Sequence, residues 1–249
     1  MKNKFIKIIL YLILAIFILF CTLVGFFVVR DLRQEDDLRN NIKELNEMFS
    51  KNDLDVKKIN KNLKTYVTTE ENLKLEKAVK KYYKDAFSLV LNINYVLTDK
   101  KITSLLNKNN ILNDMPDFTY SKNYIEKTKQ TINKSIEDVK SFQTQNNLMS
   151  YYKDENLDSY YKDLYIELTS MFNYFGDSKS YEKEMNELIN QLNAINDILN
   201  FLSENYGSWV IVDDTYYFED ENLLKEFKRL LSKVEYNNKE EYSYESTKY

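Results

Sequence analysis

Hydrophobic positions divide this chain into two unlike parts. Residues 8–29 are an unbroken apolar run behind Lys2, Lys4 and Lys7, and roughly 22 residues at about 1.5 Å each cross a bilayer core of about 30 Å. Beyond Arg30 the apolar positions recur at 4-3-4-3 spacing, on one stripe of a helix. Leu38, Ile42, Leu45, Phe49, Val56, Ile59, Leu63 and Tyr66 form the first stripe. It is broken at Asn52 and Asp53, two good capping residues where the helix is expected to divide. Thr68-Thr69-Glu70-Glu71 has capping-box spacing and opens a second helix carrying Leu75, Val79, Tyr82, Ala86, Leu89, Ile93 and Val96. A short helix over residues 100–107 starts from Asp99 as its cap.

Residues 109–117 read as a connector, because Pro116 disfavours a helical conformation for Met115. A third long helix follows over residues 120–145, with Ile125, Ile132, Ile136, Val139 and Phe142 inward. The fourth covers 157–175 through Leu157, Tyr161, Leu164, Leu168, Met171 and Phe175, with Gly176 as its left-handed terminator. The fifth is the most regular, with Tyr181, Met185, Leu188, Leu192, Ile195, Leu199, Leu202 and Tyr206, and Gly207 closes it. There the period changes from 3.6 to 2. Residues 209–212 and 215–218 are β-formers around Asp213-Asp214 and predict a hairpin over 209–218. In that register Trp209 lies opposite Phe218 and Ile211 opposite Tyr216, gathering four large groups on one face. A last helix, 220–234, uses Leu223, Leu224, Phe227, Leu230, Leu231 and Val234, with Glu219, Asp220 and Glu221 at its positive end. Residues 236–249 are polar and without a stripe, and are expected to be disordered.

The apolar run admits three readings: a retained anchor, a cleaved signal peptide, and a lipoprotein signal ending at Cys21. A cleaved signal has about 7 to 15 apolar residues and then a small-x-small site, and neither is found here. Leu19 and Phe20 stand before Cys21, where a lipid-modified cysteine is normally preceded by a small residue. The length favours a retained single-pass anchor, with residues 1–7 as a short cytoplasmic tail and Cys21 a small apolar residue in lipid. The basic residues nearly tie across the segment, with Lys2, Lys4 and Lys7 facing Arg30, Arg33, Arg39 and Lys43. The signal-anchor layout places the tail inside and residues 31–235 outside.

Composition narrows the fold and the chemistry further. Only 3 Gly and 1 Pro occur in 249 residues, which starves the chain of the turns that sheets, barrels and phosphate loops need. The expectation is a mainly α fold: a transmembrane helix, then an elongated helical bundle with one small hairpin, in one domain by default. A net charge of −4, from 35 basic and 39 acidic residues, offers no basic face for nucleic acid. The 21 Tyr are read as amphipathic aromatics on half-buried helix faces, favoured by an AT-biased codon supply, in preference to a carbohydrate-stacking surface.

There is no His, which removes the usual general base, the commonest zinc ligand and the usual hydrolase triads. No phosphate loop, dinucleotide fingerprint or calcium loop is spelled out. Paired carboxylates remain available for glycoside chemistry, but 39 acidic residues single out none. Glu35-Asp36-Asp37 and Glu219-Asp220-Glu221 are the acidic groups that could attract a cation, and for the second the structural reading prevails, since helix starts favour acids anyway. Trp209 and its hairpin depart most from the helical plan, and a lid closing the end of the bundle is the plain reading. No catalytic, cofactor-binding or metal residue is therefore assigned, and no cofactor is expected.

At Tyr66-Val67-Thr68, Val79-Lys80-Lys81-Tyr82-Tyr83-Lys84-Asp85, Leu157-Asp158-Ser159-Tyr160-Tyr161 and residues 209–218, the chain resembles a group of uncharacterised single-pass helical proteins from low-GC Gram-positive bacteria. That resemblance implies a cell-envelope location and nothing about mechanism. Together these readings describe a protein inserted in the cell membrane through residues 8–29, its carboxyl-terminal domain extracytoplasmic and not an enzyme. It is expected to act as an interaction or scaffold module with a protein partner at the envelope. The alternative is a ligand-binding or sensor domain working with a separate membrane partner. An apolar pocket with a few convergent polar groups favours the sensor, and a filled bundle favours the scaffold.

Overall fold

The first helix does not stop where the apolar run ends. In the computed structural model of the protein, which describes residues 2–49, 54–213, 215–235 and 243–246, α1 (Lys2–Phe49) carries the apolar stretch and the first amphipathic stripe on one uninterrupted helix. Its most apolar window is 0% buried, whereas Leu38, Ile42, Leu45 and Phe49 are core residues. The helix is thus long and apolar enough to cross a membrane, and the same backbone enters the packed protein. The described residues are mainly helical with a small hairpin, in keeping with the glycine shortage.

Two compact units are present, Met1–Phe87 with Thr144–Tyr174, and Ser88–Gln143 with Phe175–Tyr249. In the first, α1 is followed by α2 (Val56–Lys64), whose cap is Asp55, accepting from the Lys58 N–H at 2.9 Å. Asn52 and Asp53 lie outside the described residues. Next comes α3 (Glu70–Leu97), whose first two-thirds belong to this unit. The remaining elements of this unit are α7 (Gln145–Asp154), a single 3-10 turn (Ser159–Tyr161) and α8 (Lys162–Ser170). Its core is aromatic: Phe49 packs at 5.3 to 6.1 Å, centroid to centroid, against Tyr83, Phe87 and Phe172. The contacts with Phe87 and Phe172 are edge-to-face, an arrangement that adds about 0.5–1.5 kcal/mol each beyond area burial. The hydroxyls are satisfied within the unit. Tyr83 donates to the Leu168 carbonyl, Tyr165 to that of Leu148 and Tyr151 to the Asp85 carboxylate. Half-buried tyrosine was the expectation from composition, and here Tyr83 and Tyr165 are fully buried.

In the second unit, α4 (Lys100–Ser104) is capped by Asp99 as expected, at 2.9 Å from the Lys101 N–H. The expected connector at 109–117 is a correction, because α5 (Lys108–Asp114) occupies most of it. Met115 is extended, as a residue before proline should be, and Phe118 is left-handed at φ 52°. Asp114 then reaches forward to accept the Tyr120 and Ser121 N–H groups at 3.0 and 2.7 Å, satisfying the start of α6 (Thr119–Phe142). All five inward residues expected of α6 are buried. The expected end near 145 hides a break, since Thr144 caps α7 by accepting from Asn147 at 3.2 Å. The expected helix over 157–175 is likewise shorter. Asp158 first caps the 3-10 turn, and α8 stops where Thr169 and Ser170 turn their hydroxyls back onto helix carbonyls.

The long α9 (Ser178–Glu204) opens at Asp177, whose carboxylate accepts two N–H groups. Gly207 then takes φ +93° and redirects the chain. Strands β1 (Trp209–Val212) and β2 (Thr215–Phe218) pair antiparallel in the register read from the sequence, Trp209 with Phe218 and Ile211 with Tyr216. Asp213 is left-handed at φ 46°, and Asp214 lies outside the described residues. The inner face meets α10 (Glu221–Glu235): Phe227 lies 5.0 Å from Phe218 and 4.9 Å from Tyr216. The tail holds a second correction. Residues Ser243–Ser246 form β3, parallel to β2, so the sheet order is β1-β2-β3 with α10 in the crossover. A parallel neighbour requires a long connection, usually a helix, and β3 gains its order from the β2 ladder rather than from an apolar stripe. The rest of 236–249 lies outside the described residues.

Two outcomes test this packing. Trp209 is buried and its indole N–H donates to the Leu202 carbonyl at 2.8 Å, so Trp209→Ala should lower unfolding stability by about 3–5 kcal/mol. As the only Trp, it should emit as a buried indole in the native protein. A water-exposed emission with an unchanged unfolding midpoint would contradict the packing. Alkaline titration tests the tyrosine core. Burial pushes Tyr82 up to about 12 from an ordinary 10.0 and raises Tyr83 too. Below pH 10 both states are protonated and this contribution is fully present. Above it the unfolded chain releases its protons first, so stability should fall as pH rises from about 10 toward 12. Stability independent of pH across that window, with all tyrosinate absorbance appearing before unfolding, would contradict it.

Candidate functional site

The most heavily constrained polar constellation of the first unit lies where α2 passes into α3, beside the first turns of α1 beyond Val29. Glu76 and Lys80, one helical turn apart on α3, are 0% and 2% exposed and lie 2.8 Å apart. Both charges are fully occupied. The Glu76 carboxylate accepts the Val67 N–H at 3.0 Å, the Thr68 N–H at 2.9 Å and the Thr68 hydroxyl at 2.7 Å. The Lys80 ammonium donates to the carbonyls of Asn62, at 3.0 Å, and Thr65, and sits over the Tyr66 ring. Glu before Lys at i, i+4 is the favourable order on a helix. The pair thereby fastens residues 62–68 to α3.

That use of Thr68 replaces the expected capping box with Glu71. Thr69 instead turns to α1, donating its N–H to Gln34 Oε1 at 2.6 Å and its hydroxyl to the same oxygen at 3.0 Å. Glu70, left-handed at φ 54°, receives both terminal nitrogens of Arg30 at 3.1 and 2.5 Å. Arg30 in turn lies 5.1 Å from the ring centroid of Phe27. A third strand of contact runs through Glu35, which accepts the Tyr160 hydroxyl at 3.3 Å. The constellation is therefore a junction: buried charge immobilises the α2–α3 loop, and that loop is pinned to α1 just after its apolar stretch. Sequence reading missed it because Glu76 and Lys80 fall off the apolar stripe and look like a solvated pair. The sole sequence signal is negative: Thr68 and Glu71 suggest a cap that is not made.

The other residues weighed from the sequence are placed plainly. Trp209 is in the core of the second unit. Asp220 caps α10 by accepting the Asn222 N–H at 2.6 Å. Cys21 is an exposed free thiol on the apolar part of α1. Among the described residues no three His, Cys, Asp or Glu side chains converge as metal ligands would. A groove of about 670 Å³ runs between α9 and α10, lined by Glu187, Asn190, Gln191, Asn193, Ala194, Asp197, Ser232 and Lys233. It is open, and Ala194 is its sole apolar side chain. Asp197 and Lys233 face each other across it at 3.7 Å. Small-molecule sites are ordinarily concave and mostly apolar with a few placed polar groups, whereas seven of these eight side chains are polar.

No protein family, no curated protein and no solved structure matches the chain.

Charge removal tests the junction. Glu76→Gln strands a buried ammonium and should lower unfolding stability by about 3–5 kcal/mol, whereas the double change Glu76→Leu with Lys80→Met should lose far less than the two single changes together. Additive losses, or a single change costing under about 1 kcal/mol, would mean that the pair is solvated.

Proposed function

We propose that α1 is a retained single-pass anchor and that the helical units behind it act as a non-catalytic interaction or scaffold module on the outer side of the cell membrane. The observation that carries this reading is the continuity of α1. Its exposed apolar window needs a nonaqueous partner, and the same helix supplies Leu38, Ile42, Leu45 and Phe49 to the core. Arg30, just past the apolar run, is held by Glu70. The aromatic packing around Phe49 and an open groove lined largely by polar side chains support scaffold over sensor. The envelope location rests on the residues quoted for the resemblance and on the signal-anchor layout. The non-catalytic reading rests on the missing nucleophile and phosphate-binding motifs.

Fractionation tests the proposal directly. Full-length protein should stay in the membrane after carbonate washing with its mass unchanged, and external protease should digest residues beyond Arg30 on intact protoplasts. A mature chain starting near Cys21 or Arg30 would end the anchor reading. Protection from protease would reverse the orientation. Turnover of glycan, peptidoglycan or peptide substrates, abolished by one Asp, Glu or Ser change that leaves the fold intact, would end the non-catalytic reading.

A further inference from the structure

Because α1 has no linker, residue number along it converts to depth. The apolar run of roughly 22 residues measures about 33 Å against a hydrocarbon core of about 30 Å, so the core ends near Phe27, and the headgroup layer occupies about 5–7 Å beyond it. Side chains on a helix lean toward its amino terminus, here toward the bilayer. Arg30 shows this, its guanidinium lying beside the Phe27 ring. Arg30 lies within that layer, and Gln34 and Glu35, about 10–12 Å beyond Phe27 by the same rise, lean back toward its outer edge with what they bind. Glu70 is bound to the first, Thr69 to the second and Tyr160 to the third.

The same short segments carry apolar groups turned outward. Leu32 is 54% exposed, Tyr66 48%, Val67 39% and Tyr160 70%. Tyr160 also stacks edge-on against Tyr161 at 5.1 Å, which stiffens it without covering it. Tyrosine is the side chain enriched at the boundary of hydrocarbon and headgroups, where an apolar ring and a wet hydroxyl are both accommodated. Charge does not explain the placement. Residues 30–35, 61–71 and 158–163 together hold five basic and six acidic side chains, so these segments carry no net positive charge to attract anionic lipid.

We propose that this face is a lipid-contact surface: Leu32, Tyr66, Val67 and Tyr160 rest in the headgroup layer around α1, so that the first unit is seated on the bilayer. The partner is the amphipathic interface of the phospholipid leaflet, engaged through apolar and aromatic contact and not through headgroup charge. The inference rests on α1 being a retained span and adds to it a second, peripheral attachment. It also gives the buried Glu76–Lys80 pair a purpose, since the loop it fastens is the one that presents Tyr66 and Val67.

Nitroxide accessibility on the full chain in vesicles tests it. One label goes on native Cys21. In a Cys21→Ser background, single labels go on Leu32→Cys, Val67→Cys, Tyr160→Cys and Lys43→Cys, all exposed positions outside the core. Lys43 stands about 14 residues past Val29, roughly 21 Å along the helix and beyond the headgroups. Positions 32, 67 and 160 should show a several-fold higher ratio of oxygen to nickel collision than position 43, equally in phosphatidylcholine and in phosphatidylglycerol vesicles. If Cys21 reads as buried in hydrocarbon while 67 and 160 match position 43, the span stands and the lipid-contact surface is overturned. An aqueous Cys21 overturns the span reading and this one with it. Interfacial readings confined to phosphatidylglycerol overturn the apolar contact in favour of charge attraction.

Discussion

An unbroken α-helix is the constraint on which the first unit depends. Backbone hydrogen bonds along α1 fix the relation between an apolar stretch whose most apolar window is 0% buried and a stripe that is almost wholly buried. Helices this long are held by what their faces bury, not by propensity. Here the most apolar window is 0% buried, and the other end packs into the aromatic cluster of Phe49, Tyr83, Phe87 and Phe172. Because no glycine or proline falls between Phe26 and Phe49, nothing in the backbone invites a hinge at the boundary.

A second constraint acts sideways on the first. The loop after α2 contains no glycine, yet it must turn sharply, and Glu70 pays with a left-handed φ of 54°. The turn persists because the Glu76–Lys80 pair occupies its N–H groups and carbonyls from below while Arg30 and Gln34 hold it from the side. Burying two charges without full pairing destabilises a protein by several kcal/mol. Every proton of the Lys80 ammonium and both Glu76 oxygens have partners, so the pair rigidifies the loop instead of weakening the core. In the second unit an apolar contact does the equivalent work, with Phe227 of α10 packed between Tyr216 and Phe218.

What was legible in the sequence is what local periodicity encodes. The stripes of α6 and α9 and the register of the hairpin all follow from spacing within one element. Asp99 was readable as a cap for the same reason. The misses are tertiary. Helix α5 was hidden because Pro116 signalled a turn that the chain makes only after Asp114. The break at Thr144 lies in the polar run Gln143-Thr144-Gln145-Asn146-Asn147, where no apolar position marks where one helix ends and the next begins. Strand β3 has no stripe at all and is ordered by β2 across a crossover helix. The junction was invisible for the strongest reason: its members, from Arg30 to Tyr160, come from four separated segments, and its central acid and base occupy positions that a helical wheel assigns to solvent.

That the apolar stretch and the core stripe share one continuous helix is tested by a single distance. Cys21 is the only cysteine and is exposed, so a nitroxide on it can be paired with one on Glu47→Cys at the far end of α1. A continuous helix places the two attachment points roughly 26 residues and about 39 Å apart. Pulsed dipolar spectroscopy on the full chain in vesicles should give one narrow distribution near that value. A distribution that is broad, or centred well short of it, would mean that the helix breaks between membrane and domain.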